Sequence, residues 1–201
     1  MNIRPEKTIE RMKSGCLVKI VALGDSLTQG WMVSKGYLDF LYEMLKTRYP
    51  ESRLTILNRG VPGDTAEGGL YRLREDVLDC DPDCVLVQFA LNDGFMGIPP
   101  QVFQNQLGTI IDHVQNDTEA DIVLLTSVFL DDNRENEMAM KYYQKIQDLA
   151  RKNHLPMARV HEYWKTKIAE GAEFSNLVQY DRVHPTVEGY RLMAEAVMEV
   201  F

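Results

Sequence analysis

A three-layer α/β/α fold on a mostly parallel sheet is the architecture this sequence predicts, and three observations carry it. Apolar, β-rich runs recur along the 201 residues. The strongest are nearly continuous in Val, Ile and Leu rather than alternating, the pattern of strands buried on both faces. Helical periodicities fill the gaps, so strand and helix alternate from end to end.

In chain order, LVKIVAL at 17–23 is the first strand and stops at a glycine. In GYLDFLYEMLKTRYP, Leu38, Leu41 and Leu45 fall at i, i+3 and i+7 of a helix that Pro50 ends. LTIL at 54–57 is the second strand. DTAEGGLYRLREDVL opens a second helix, with Asp64 three residues before Glu67 at capping-box spacing. CVLVQFA at 84–90 and DIVLLTSVF at 121–129 are the third and fourth strands, and PMARV at 156–160 is a weaker fifth. Further helices are expected at about 99–116, 134–153 and 186–200. No repeat, low-complexity tract or linker interrupts the pattern, so one domain over residues 1–201 is expected.

The composition, 45% hydrophobic and 26% charged, is that of a globular protein. A net charge of −8, with no Lys/Arg run, argues against nucleic acid or an anionic membrane surface as partner. No apolar run approaches the roughly 20 residues that span a bilayer. The first fifteen residues, MNIRPEKTIERMKSG, are charged and lack a secretory core, so a cytoplasmic location is expected. Cys16, Cys80 and Cys84 are too few for a disulfide framework, and no Cys/His cluster completes a metal site around CDPDC.

In open parallel sheets, ligands bind beyond the carboxyl ends of the strands. Three glycine-punctuated loops fall there: Gly24-Asp25-Ser26, NRGVPGD with Asn58, Gly60 and Gly63, and ALNDG with Asn92 and Asp93. Near the C-terminus, YDRVHPTVEGY sets Asp181 and His184 three apart, close enough for the carboxylate to reach the imidazole within a turn. Such a contact fixes the tautomer and frees Nε2 for a serine. Alone, Ser26 reads as a helix cap, and Asp181 as a turn former. Together with His184 and Asn92 they read as catalytic machinery. His113, His154 and His161 have no carboxylate at motif spacing and are expected to be solvated or structural.

GDSLTQG, the glycine of NRGVPGD, the asparagine of LNDG and the aspartate and histidine of DRVHP resemble, in order, the four blocks of the SGNH (GDSL-type) hydrolase family. They span residues 24–185. The resemblance implies a flavodoxin-like sandwich carrying a carboxylic ester hydrolase, with no cofactor or metal and a small-molecule ester as substrate. Esters of small-to-medium acyl groups, acetylated sugars, lysophospholipids and thioesters all fall within it. Carried over, Ser26 is the nucleophile, His184 its base and Asp181 the residue that orients the base. Ser26 N–H, Gly60 N–H and the Asn92 side chain form the oxyanion site. One departure stands out: Ala90 occupies the place of the usual glycine of the third block. Phe95 and Met96, just beyond Asn92, and Val183, just before His184, are the expected acyl-binding wall. Two rivals are a sandwich that binds without chemistry, for which Ala90 is the one hint, and a nucleotide-binding protein, which lacks a phosphate-cradling glycine loop.

Overall fold

The computed structural model describes residues 3–201. Five strands form one parallel sheet: β1 (Leu17–Gly24), β2 (Arg53–Gly60), β3 (Cys84–Gln88), β4 (Asp121–Leu125) and β5 (Met157–Ala158). Their spatial order is β2-β1-β3-β4-β5, the flavodoxin-like order. Every residue of β3 is buried, which is why its sequence is an unbroken apolar run save Gln88. Edge strand β2 is only partly covered and is more polar.

The helices are α1 (Glu6–Lys13), α2 (Ser26–Gln29), α3 (Tyr37–Arg48), α4 (Ala66–Tyr71), α5 (Leu73–Asp76), α6 (Leu91–Phe95), α7 (Pro100–Asp117), α8 (Asn133–Lys152), α9 (Val160–Ala169), α10 (Phe174–Leu177) and α11 (Val187–Met198). Helices α3, α9 and α11 pack together as one layer, and α4, α7 and α8 as the other. This division follows from handedness. The chain steps one way along the sheet from β1 to β2 and the other way from β2 through β3 to β5, so right-handed crossovers place their helices on opposite faces. The reversal leaves a crevice between the carboxyl ends of β1 and β3.

Several local expectations need correcting. The helix expected from Asp64 is broken into α4, α5 and a 3-10 turn at Leu78–Cys80. Its cap is Thr65, whose hydroxyl accepts the Gly68 N–H, because the Asp64 carboxylate is drawn to Arg72 instead. The runs at 84–90 and 121–129 leave the sheet at Gln88 and Leu125, and their tails become loops at its carboxyl edge. The fifth run yields two strand residues before Val160 begins α9, a helix not read from the sequence, as α1 was not. Among the described residues no helix is long and apolar enough to cross a membrane.

Candidate active site

Strand β1 ends where Gly24 lies between Gly60 of β2 and Gln88 of β3, and the chain turns at once into α2. Asp25, not Ser26, caps that helix: its Oδ1 accepts the Leu27 N–H at 2.9 Å. Ser26 therefore keeps its hydroxyl for other partners, and it is 7% exposed. Its Oγ lies 2.9 Å from His184 Nε2, and His184 Nδ1 lies 2.7 Å from Asp181 Oδ2.

Asp181 does double work in its turn. Oδ1 accepts the N–H groups of Val183 at 3.0 Å and His184 at 2.9 Å, while Oδ2 faces the imidazole. Burial pushes this carboxyl up, but the Val183 N–H, the His184 ring and the His184 N–H together hold it below the usual carboxylate range. Asp181 is thus an ionised acceptor that favours the Nδ1–H tautomer and leaves the Nε2 lone pair toward Ser26. The turn is braced from outside: Arg182 pairs with Asp131, and Gln179 Nε2 donates to Trp31 O and Pro185 O, both at 2.9 Å. The Trp31 ring centroid lies 6.0 Å from that of His184.

The donor side differs from expectation at one residue. Gly60 is the last residue of β2, and its N–H donates to Asn58 Oδ1 at 2.9 Å. A Cβ there would sit 2.2 Å from Gln29 N, so Gly60 is glycine because α2 passes directly over it. Sequence order alone could not separate the two glycines of NRGVPGD. Gly63 is the one with a free amide. In Val61-Pro62-Gly63-Asp64 the Asp64 N–H returns to Val61 O at 3.1 Å, and Gly63 has φ +79°, with proline and glycine where a type II turn wants them. Such a turn directs its central N–H outward, and Gly63 N–H has no acceptor among the described residues. The Pro-Gly pair was the signal that could have found it.

Asn92, on α6, donates through Nδ2 to Asp64 O at 2.8 Å, which brings its amide beside this turn. Ala90, immediately before α6, has φ +156° and ψ −44°, a region that suits glycine and strains a residue with a Cβ. The strain explains the family's glycine, yet Asn92 still reaches the turn.

Beside Ser26 lies a cavity of about 220 Å³ lined by Leu27, Leu91, Asn92, Phe95, Val183 and His184. Phe95 and Val183 take the expected places, whereas Met96 is 63% exposed and lies outside the lining. Leu27 and Leu91 were missed, since apolar residues inside a motif read as ordinary core. Asp25, which also lines this cavity, accepts through Oδ2 from Gln88 Nε2 at 3.2 Å, and Gln88 also bonds Thr28 and Ser127. Burial pushes the Asp25 carboxyl up to about 7 and that of Asp93 up to about 6. Asp93 accepts the Ala66 N–H at 3.1 Å and so joins α6 to α4.

The remaining histidines lie elsewhere. His113 pairs with Asp117 on α7, a carboxylate partner the sequence reading did not assign. His161 is buried against Thr126 at 2.9 Å, and burial lowers its ring to about 4. All three cysteines are free thiols.

Residues 22–192 match the model of the GDSL-like lipase/acylhydrolase family. The chain belongs to this family. Among curated relatives of this GDSL-type chain, an arylesterase of Vibrio mimicus is 27% identical over 186 residues, covering 90% of this chain and 86% of that protein. An acetylxylan esterase of Geobacillus stearothermophilus is 24% identical, covering 93% and 95%. A crystal structure of a catalytic mutant of an acetylxylan esterase from that organism superposes with a TM-score of 0.81 at 19% identity, covering 91% of this chain and 93% of that one. An alpha/beta hydrolase enzyme from the Lake Arreo metagenome gives 0.80 at 23%, covering 91% and 94%. These likenesses show the three-layer fold, and the family and its relatives make the chain a GDSL-type carboxylic ester hydrolase.

Proposed function

We propose that this GDSL-type hydrolase is a cofactor-independent serine esterase of small-to-medium acyl esters, working through an acyl-enzyme on Ser26 within a single domain over residues 1–201. The observation that carries the reading is the line from Ser26 Oγ to His184 Nε2 at 2.9 Å and from His184 Nδ1 to Asp181 at 2.7 Å.

Ser26 Oγ attacks the ester carbonyl while His184 Nε2 takes its proton, and ionised Asp181 stabilises the imidazolium. The oxyanion is held by the Ser26 and Gly63 N–H groups and by the Asn92 amide, whose second hydrogen is not committed to Asp64. Gly60 drops out of this set because its N–H is taken. His184 then protonates the departing alcohol, and an activated water releases the acid. The acyl group enters between Leu27, Leu91, Phe95 and Val183, a space below the roughly 300 Å³ at which drug-sized sites begin, which favours short chains. Curated relatives named arylesterase and acetylxylan esterase fit small acyl groups on bulky alcohols. Among the acetylxylan esterase structures are catalytic mutants at a serine, an aspartate and a histidine, the last two spaced three apart as Asp181 and His184 are. The three free thiols suit a reducing, cytoplasmic compartment.

A chain-length series of p-nitrophenyl esters on wild type and Ser26→Ala tests the proposal. Turnover that falls with acyl length and vanishes in the variant is expected, together with fluorophosphonate labelling of the wild type alone. Equal turnover by the two proteins overturns it.

A further inference from the structure

We infer that Arg72 is a positioning residue for the oxyanion site, holding the Val61–Asp64 turn and Asn92 in register with the nucleophile. The inference rests on the esterase reading above and deepens it.

The tip of that turn has nothing to lean on. Val61, Pro62 and Gly63 are exposed, and a Cβ built on Gly63 would meet no atom within 4 Å. Its amide is therefore aimed by hydrogen bonds at the two ends of the turn rather than by packing. At the first end, Val61 N–H donates to Gly24 O at 3.0 Å. At the second, Asp64 is held by its carboxylate.

The guanidinium of Arg72 joins both ends. Nη2 donates to the same Gly24 oxygen at 2.9 Å, two residues before Ser26. Nε donates to Asp64 Oδ2 at 2.8 Å. Nη1 is fixed in turn by Arg59 O at 2.9 Å, at the end of β2, and by Asp76 Oδ2 at 2.6 Å. The side chain is 16% exposed and that of Asp64 13%, so these ion pairs are shielded from the screening that weakens surface bridges. A planar fork with its directions set by four acceptors fixes angle as well as distance, which a lysine cannot reproduce.

Asp64 passes this order on by two routes. Its N–H closes the turn that presents Gly63, and its carbonyl receives Asn92 Nδ2 at 2.8 Å. Both oxyanion donors outside the nucleophile's own residue thus depend on the residue that Arg72 clamps. The alternative, that Arg72 only stabilises the fold, makes a different prediction: lost stability with intact turnover in the folded fraction.

The test uses Arg72→Met and Arg72→Lys in the full chain, with melting temperature, kcat, KM and the inhibition constant of an alkyl boronic acid as readouts. The boronic acid forms a tetrahedral anion on the serine and so reports the oxyanion donors directly. Folded Arg72→Met should lose about 100-fold in kcat with KM changed less than about threefold, and boronic acid binding should weaken by a similar factor. Arg72→Lys should recover about tenfold of that loss. Against an Asn92→Ala background, either Arg72 variant should cost less than about a third of its usual factor, since the two act through one site. Should Arg72→Met fail to fold, the Arg72→Lys cycle with Asn92→Ala carries the test. Wild-type kcat and boronic acid affinity in a folded variant, or fully additive losses, would overturn the inference while leaving the esterase reading intact. A wild type inert to both esters and the boronic acid would overturn the two together.

Discussion

Gly60 hands its N–H to Asn58 Oδ1 at 2.9 Å, so the first glycine of the NRGVPGD loop is bound within its own strand while Gly63, three residues on, keeps an unpaired amide. The two glycines have different physical jobs. Gly60 lets the backbone of α2 cross β2, and Gly63 lets a turn adopt positive φ.

Alanine substitutions separate those jobs. Gly60→Ala drives a methyl to 2.2 Å from a backbone nitrogen and should lower the yield of folded protein or cost several °C in melting temperature. Gly63→Ala meets no neighbour and pays only the left-handed strain of about 1–2 kcal/mol. It should stay folded yet lose about tenfold or more in kcat as its N–H tilts away. Differential scanning fluorimetry beside ester kinetics reads both effects.

Ala90 sits at φ +156°, and relief of that strain should outweigh the lost methyl. Ala90→Gly is expected to gain about 1 kcal/mol, which raises the melting temperature by about 2–4 °C in a chain of this size. Activity should hold or rise, because Asn92 leaves the same junction. A melting temperature below wild type would show that the position is not strained.

The raised carboxyl of Asp25 sets a pH dependence of stability. The native protein holds this proton to about pH 7, whereas the unfolded chain releases it near 3.8. Between those values the native state binds more protons, so stability falls as pH rises. Asp93, pushed up to about 6 by burial, acts in the same direction. His161, lowered to about 4 by burial, opposes them up to about pH 6.5. The melting temperature should therefore decline from about pH 5 to 6 and again from about 6.5 to 7, and Asp25→Asn should remove or reverse that slope. An unchanged slope in the variant would place the titration elsewhere.

Phe95 lines the cavity and Met96 does not, although they are neighbours in sequence. Phe95→Ala should raise KM for butyryl and longer p-nitrophenyl esters by about threefold to tenfold while sparing acetate. Met96→Ala should leave both unchanged. Equal effects of the two substitutions would remove the cavity from the account of acyl selection.

The five strands, the helices that became α3, α7, α8 and α11, the parallel sheet and the meeting of Ser26, Asp181 and His184 were legible in the sequence. Each of these leaves a local mark: apolar runs for strands buried on both faces, a glycine before the serine, and a three-residue spacing that lets a carboxylate reach an imidazole. The Pro-Gly pair marks the turn at Gly63, but that the Gly60 amide is taken was decided by tertiary structure, where Asn58 Nδ2 donates to Gln29 O on α2 and its Oδ1 accepts the Gly60 N–H. Tertiary structure also moved the cap from Asp64 to Thr65, since the competing partner, Arg72, lies eight residues on, outside the span any capping rule considers. It excluded Met96 from the cavity and admitted Leu27 and Leu91, for the direction of a side chain at a helix start follows from packing. Spacing along the chain encodes what neighbours can do to one another. Which distant amide, carboxylate or ring lies at 3 Å is set only when the layers close.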